Sequence, residues 1–197
     1  MFQKVIFTLL IGTTFFSGAL QAQAEKREFE KSVKADKLPD SLIILVNEVF
    51  PTAKNIRYYL ESDGARQSYE IKLRDEGRKL SIEFYADGQL MDVEELVSFK
   101  DLPEDLNEKI EDYFDEQFEK FILTRVQKQF RGPNTKQVLE AIKRSQTDHL
   151  KIRYEIEAVV AGEDEQLLGS YEFLFSAEGT LISTAQILKR SSDNVTY

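Results

Sequence analysis

Residues 69–90 read Tyr69-Glu70-Ile71-Lys72-Leu73-Arg74-Asp75-Glu76-Gly77-Arg78-Lys79-Leu80-Ser81-Ile82-Glu83-Phe84-Tyr85-Ala86-Asp87-Gly88-Gln89-Leu90. Tyr69, Ile71 and Leu73 alternate with Glu70 and Lys72, and Leu80, Ile82 and Phe84 alternate with Ser81 and Glu83, the period-two pattern of strands with one buried face. Asp75-Glu76-Gly77 and Asp87-Gly88 supply the reversals between and after them. The spacing therefore predicts an antiparallel meander whose last strand runs over Leu90–Leu96. Upstream, residues 56–60 alternate in the same way, with Ile56, Tyr58 and Leu60 on one face and Arg57 and Tyr59 on the other, before a Ser62-Asp63-Gly64 turn. Further upstream, Leu42, Leu45, Val46, Val49 and Phe50 form one apolar stripe at helical spacing, opened by Leu38-Pro39 and stopped by Pro51. Residues 25–37 are charged, with Phe29 and Val33 as the sizeable apolar residues, and read as a loose leader or an edge strand.

The second half repeats this order. Leu106, Ile110, Tyr113 and Phe114 stand at the same offsets from Pro103 as Leu42, Val46, Val49 and Phe50 do from Pro39. Tyr154-Glu155-Ile156 echoes Tyr69-Glu70-Ile71, and Phe175-Ser176-Ala177-Glu178-Gly179-Thr180-Leu181 echoes residues 84–90. The offset between copies grows from 64 at the helix to 85 and then 91, so the second copy carries insertions. The larger covers 131–148, with Val138, Leu139 and Ile142 on a short helix capped near Asn134. The smaller is an acidic loop at 162–166. The expected architecture is α+β: two tandem lobes, residues 25–97 and 98–190, each a helix packed on a four-stranded antiparallel sheet, with the helical insertion in the second and a frayed tail over 191–197.

The chain opens with Lys4, an apolar run over residues 5–16 broken by Gly12, Thr13 and Thr14, and the small-x-small ending Gln21-Ala22-Gln23-Ala24. This is the pattern of a cleavable secretory signal peptide, residues 1–24, with a cut after Ala24, and it implies a periplasmic or secreted product with no membrane insertion after cleavage. Lys4 is the only charged residue in that segment, so removing it makes the formal net charge of −9 more negative still. Such a surface repels phosphate backbones and argues against a nucleic-acid partner. The chain has no cysteine, which excludes disulfides, thiol chemistry and a lipidated cysteine.

The helix opened by Leu38-Pro39 and closed by Phe50-Pro51, the Tyr69-Glu70-Ile71-Lys72-Leu73 strand and the Phe84-Tyr85-Ala86-Asp87-Gly88-Gln89-Leu90 hairpin together resemble the PepSY-like family of exported bacterial domains, a group related in fold to the β-lactamase inhibitor proteins. The resemblance covers residues 35–97 well and 98–190 more loosely. It implies a helix on an antiparallel sheet, often duplicated, whose open face binds another protein, and it implies restraint of a peptidase or other hydrolase. It carries no catalytic residue to this chain. The second copy departs from the pattern in having Asp115 where the first has Pro51, and in its insertion.

If Tyr69, Ile71, Leu73, Ile82 and Phe84 face the helix, then Arg57, Tyr59, Glu70, Lys72, Ser81, Glu83 and Tyr85 share the opposite face. Tyr and Arg are interface-anchoring types, which makes this the candidate protein-binding face; the alternative is a solvated face whose cross-strand charge pairs stabilise the sheet. Val159 and Leu174 in the second copy are expected to point outward, against either a partner, the other lobe or the inserted helix. The acidic helix bearing Glu104, Asp105, Glu108, Glu111, Asp112, Asp115, Glu116 and Glu119 has no calcium-loop spacing and reads as a solvated face. His149 is the only histidine, so neither a zinc ligand set nor a Ser-His-Asp triad is available. No metal, cofactor or catalytic residue is expected. The reading is a non-enzymatic exported module that binds, and inhibits, a protein; the alternative is an accessory envelope module or a small-ligand or peptide sensor.

Overall fold

The computed structural model describes residues 24–26, 28–63, 66–162 and 166–188. The expected signal peptide lies outside these residues except for Ala24, as do the 191–197 tail and most of the 162–166 loop. The chain order is β1 (Ala24–Lys26), β2 (Glu28–Val33), α1 (Asp40–Val49), β3 (Lys54–Asp63), β4 (Arg66–Asp75), β5 (Arg78–Tyr85), β6 (Leu90–Leu96), α2 (Glu104–Gln117), β7 (Lys120–Arg131), α3 (Thr135–Lys143), β8 (Lys151–Ala161), β9 (Leu167–Ser176) and β10 (Leu181–Ile187). No described helix is long and apolar enough to cross a membrane.

The two expected lobes, each with its own four-stranded sheet, are not what forms. One ten-stranded sheet runs in the order β1-β10-β9-β8-β7-β6-β5-β4-β3-β2. The reason lies at β6 and β7, each of which would be the exposed edge of a separate sheet. Strand edges present unpaired N–H and C=O groups, and here the two edges satisfy one another. Val93, Glu94, Glu95 and Leu96 pair with Phe130, Gln129, Lys128 and Gln127. Residue 97 therefore falls at a change of element, and the sheet continues across it. All pairings are antiparallel except β1, which adds parallel to β10. Residues 28–33 take the edge-strand alternative, pairing with β3.

The repeated order of elements survives inside this single sheet. Pro51 stops α1, whereas α2 has Asp115 at the matching position and runs to Gln117. The β4–β5 turn places Glu76 at φ 49° and Gly77 at φ 87°, the left-handed pair that a two-residue hairpin needs. The later hairpins close alike: Tyr85 N bonds Gln89 O at 2.9 Å in the first half, and Ser176 N bonds Thr180 O at 2.8 Å in the second.

All three helices contribute to apolar clusters on one face of the sheet. Leu42, Val46, Val49 and Phe50 bury against Ile71, Leu73, Leu80, Ile82, Phe84 and Val93. Leu106, Ile110 and Phe114 bury against Val126, Tyr154, Ile156, Val160, Tyr171, Phe173 and Phe175. The insertion behaves differently from a decoration of the second copy. Asn134 caps α3, its side chain accepting from Gln137 N at 3.0 Å, but Val138, Leu139 and Ile142 pack into the first cluster. The second half thus completes the core of the first.

Candidate functional site on the open sheet face

Because side chains alternate across a strand, burying Ile71, Leu73, Ile82 and Phe84 under α1 sends the residues between them to the face that no described helix covers. The seven candidate residues all lie there. Tyr59 and Tyr85 are half-buried and 38% exposed respectively, so neither is under the helix. Glu70 is buried, accepting from the Ser81 hydroxyl and standing in an ion pair 3.1 Å from Lys72 Nζ. Lys72 also reaches Glu30 at 2.8 Å and lies 4.7 Å from the centre of the Tyr59 ring. Burial works to lower the Lys72 pKa, but the hydrogen bonds and charges of Glu30 and Glu70 outweigh it and raise the value.

The structure divides these residues between two hollows. Arg57, Lys72 and Ser81 line one of about 380 Å³ that also collects Arg74, Lys79 and Arg125. Glu70, Lys72, Glu83 and Tyr85 line a broader trough of about 540 Å³. That trough runs on beyond the first half, over Asp92 and Glu94 of β6, Gln127 and Gln129 of β7, and Arg153 and Glu155 of β8. One unbroken row of paired residues shows the continuity: Arg57, Lys72, Ser81, Glu94, Gln129, Arg153 and Ser176 are successive partners across seven strands. The β7 and β8 members were absent from the expected site because two separate sheets would have placed them elsewhere, and Asp92 and Glu94 because the expected site ended at β5. Their alternation with Val126, Phe130, Tyr154 and Ile156 is nevertheless visible in the sequence.

Charge on this face is sorted along the strands. Glu70 pairs with Glu83 and Glu83 with Asp92, an all-acidic row across β4, β5 and β6. Four residues further along β4, Lys54 pairs with Arg74 and Arg74 with Lys79, an all-basic row. At about 3.3 Å per residue the rows stand about 13 Å apart. Like charges directly opposite one another destabilise a sheet, so neither row exists for the sake of strand pairing. The two rows differ in depth: Lys54, Arg74 and Lys79 are exposed, whereas Glu70 and Asp92 are buried and Glu83 is partly so. Burial, with the charges of Glu94, Asp92, Glu61 and Glu70 around it, pushes the Glu83 carboxyl well above its ordinary value.

The other sequence candidates lie apart from this arrangement. Leu174 lines the trough and Val159 is half-buried; the inserted helix does not cover them, because α3 packs into the apolar core. The acidic residues from Glu104 to Glu119 are exposed along and just after α2, and His149 is exposed in the connection before β8.

No family model and no curated protein matches the chain. Solved structures do. A candidate periplasmic protein from Bacteroides eggerthii is 16% identical, over 78% of this chain and 92% of that chain, with a TM-score of 0.51. A DUF2874 family protein from Bacteroides ovatus is 14% identical, over 74% and 85%, with a TM-score of 0.50. A BLIP-like protein from Bacteroides fragilis is 16% identical, over 82% and 97%, with a TM-score of 0.49. None of the three is described as a PepSY protein, so that resemblance rests on sequence motifs alone. At these identities the first two likenesses establish a shared fold, a long antiparallel sheet with helices on one side.

Proposed function

We propose that this chain is a non-enzymatic exported module that docks a folded partner protein on the open face of its sheet, and that the partner is a hydrolase or peptidase which it restrains. The observation that carries the reading is an exposed basic cluster with Leu96 beside it, on the same face as Tyr59 and Tyr85, which stand toward the acidic row. Arg57, Arg74 and Lys79 cluster on a chain of net charge −9, and among the described residues no carboxylate lies within ion-pair distance of their side chains. A partner presenting an acidic group there relieves the repulsion between them, and opposed potentials of this kind guide association and set register. Tyr59, Tyr85 and Leu96 supply the large, partly exposed side chains that anchor interfaces. Against a catalytic reading stands the chemistry of the face: the Ser81 hydroxyl donates to Glu70, and the one histidine of the chain is distant in sequence and solvent-exposed.

The test is affinity capture from an envelope extract of the native host. The wild-type chain is expected to retain a partner that Tyr59→Ala with Tyr85→Ala loses by at least about tenfold, the scale of an interface anchor. Arg74→Glu with Lys79→Glu should weaken capture and flatten its dependence on salt. Equal capture by all three chains removes this face as the docking surface. Restraint is read separately: stoichiometric addition of the chain to the purified partner should lower its hydrolytic activity, and unchanged activity reduces the module to an accessory one.

A further inference from the structure

Two acidic groups on the open face differ in how their charge is answered. Oxygens of Glu30, Glu61 and Glu70 lie within 4.8 Å of one another, and so do those of Glu83, Asp92 and Glu94. The first group holds a cation of its own, since Lys72 Nζ stands 2.8 Å from Glu30 and 3.1 Å from Glu70. In the second, Arg131 Nε lies 3.9 Å from Asp92 and the Gln127 amide donates to Glu94, while among the described residues no lysine or arginine comes within ion-pair distance of Glu83.

A second, independent feature points into the same place. Gln129 is 7% exposed, it stands directly opposite Glu94 in the β6–β7 register, and it lines the trough that Glu83, Asp92 and Glu94 line. Its side-chain oxygen Oε1 is buried with no hydrogen-bond partner. A buried amide acceptor left unanswered costs free energy, and native proteins rarely leave one so without a reason.

We infer that Glu83, Asp92, Glu94 and the side-chain oxygen of Gln129 form a binding site for a divalent cation of the calcium type. The donors are all hard oxygens, carboxylate and amide, with neither imidazole nor thiolate, which selects Ca²⁺ over zinc or copper. Calcium takes about six to eight oxygens at about 2.4 Å in flexible geometry, which suits carboxylates gathered within 4.8 Å of one another on neighbouring strands; magnesium, at about 2.1 Å, requires a near-ideal octahedron. The donors come from three neighbouring strands, so the sheet holds them in place before any ion arrives. The site stands whether or not the face docks a protein, because the acidic row is recessed where the basic row is exposed.

The probe is Tb³⁺, a luminescent stand-in for Ca²⁺, with Tyr85 on the wall of the same trough as sensitiser. The full chain should give tyrosine-sensitised Tb³⁺ emission that Ca²⁺ displaces and Mg²⁺ does not, and saturating Ca²⁺ should raise the melting temperature by about 5 °C over a chelator-treated sample. Glu83→Gln relieves like-charge crowding, so it should fold, show a higher melting temperature without Ca²⁺, and lose at least about tenfold in Tb³⁺ affinity. Gln129→Ala should weaken binding, and Glu30→Gln should leave it unchanged. A wild-type chain with neither displaceable emission nor a Ca²⁺-dependent melting shift overturns the site, as does a folded Glu83→Gln variant that binds Tb³⁺ as tightly as wild type. Neither outcome bears on partner capture.

Discussion

Phe114→Ala is expected to lower the unfolding free energy by about 4 kcal/mol and the melting temperature by about 10 °C. Phe114 is fully buried at the centre of an aromatic group, with ring centroids 4.8 Å from Phe173, 5.0 Å from Phe121, 5.6 Å from Tyr113 and 5.9 Å from Phe118. Truncation removes the ring's transfer free energy and leaves a void that rigid neighbouring rings fill poorly, which places the loss toward the upper part of the range for such substitutions. The form of the transition is as informative as its midpoint. Because β6 and β7 are paired and α3 packs into the first cluster, both clusters should melt in one cooperative step, with chemical denaturation followed by far-UV circular dichroism and by tyrosine fluorescence giving coincident curves. Two separated transitions, with only the second half destabilised, would restore the picture of independent lobes. A loss below about 1.5 kcal/mol would show that the cluster repacks around the missing ring.

Lys143→Ala should cost about 3 kcal/mol, a large effect for a residue at the surface end of a helix. Its ammonium lies 2.9 and 3.1 Å from the two oxygens of Asp75 and 2.8 Å from Glu76. These bonds raise its pKa, those to Glu76 and Asp75 outweighing the opposing effect of burial. Asp75 is 0% exposed, and its other partners are Thr52 Oγ1 at 3.1 Å and Arg78 at 3.6 Å. Without Lys143 a buried carboxylate keeps one loosely placed cation, and breaking a buried pair from one side is the costly way to break it. Adding Asp75→Asn to Lys143→Ala should recover part of the loss, because the uncompensated charge then goes with its partner. Urea denaturation of the single and double variants measures this coupling. If the double variant is less stable than Lys143→Ala alone, the cost lies in packing and the ion pair is incidental.

Both predictions depend on contacts that local patterns in the chain do not announce. The alternation over residues 69–84, the Pro51 stop and the Asn134 cap are encoded within a few residues, and the structure has them where the spacing puts them. A period of two tells which face a side chain takes, yet it is silent on which strand lies alongside. The β6–β7 pairing that fuses the halves is therefore invisible locally, as is the turn of α3 toward α1 and the ion pair of Lys143 with Asp75, 68 residues away. The same blindness truncated the candidate face. Arg57, Tyr59, Glu70, Lys72, Ser81, Glu83 and Tyr85 do share a side, but the trough continues over Gln129 and Glu155 only because the sheet continues. The segregation of acidic and basic rows likewise follows from cross-strand register, which no single strand records.

The face itself is best tested by site-specific photo-crosslinking, with a photoreactive residue placed at Tyr85 on the open side or at Glu108 on the exposed side of α2, each exposed to the same envelope extract. Docking on the open face predicts a covalent adduct to one partner from position 85 that excess unlabelled wild-type chain suppresses, with no adduct from position 108. The reverse pattern, an adduct from position 108 and none from position 85, would place the partner on the helices and contradict the account.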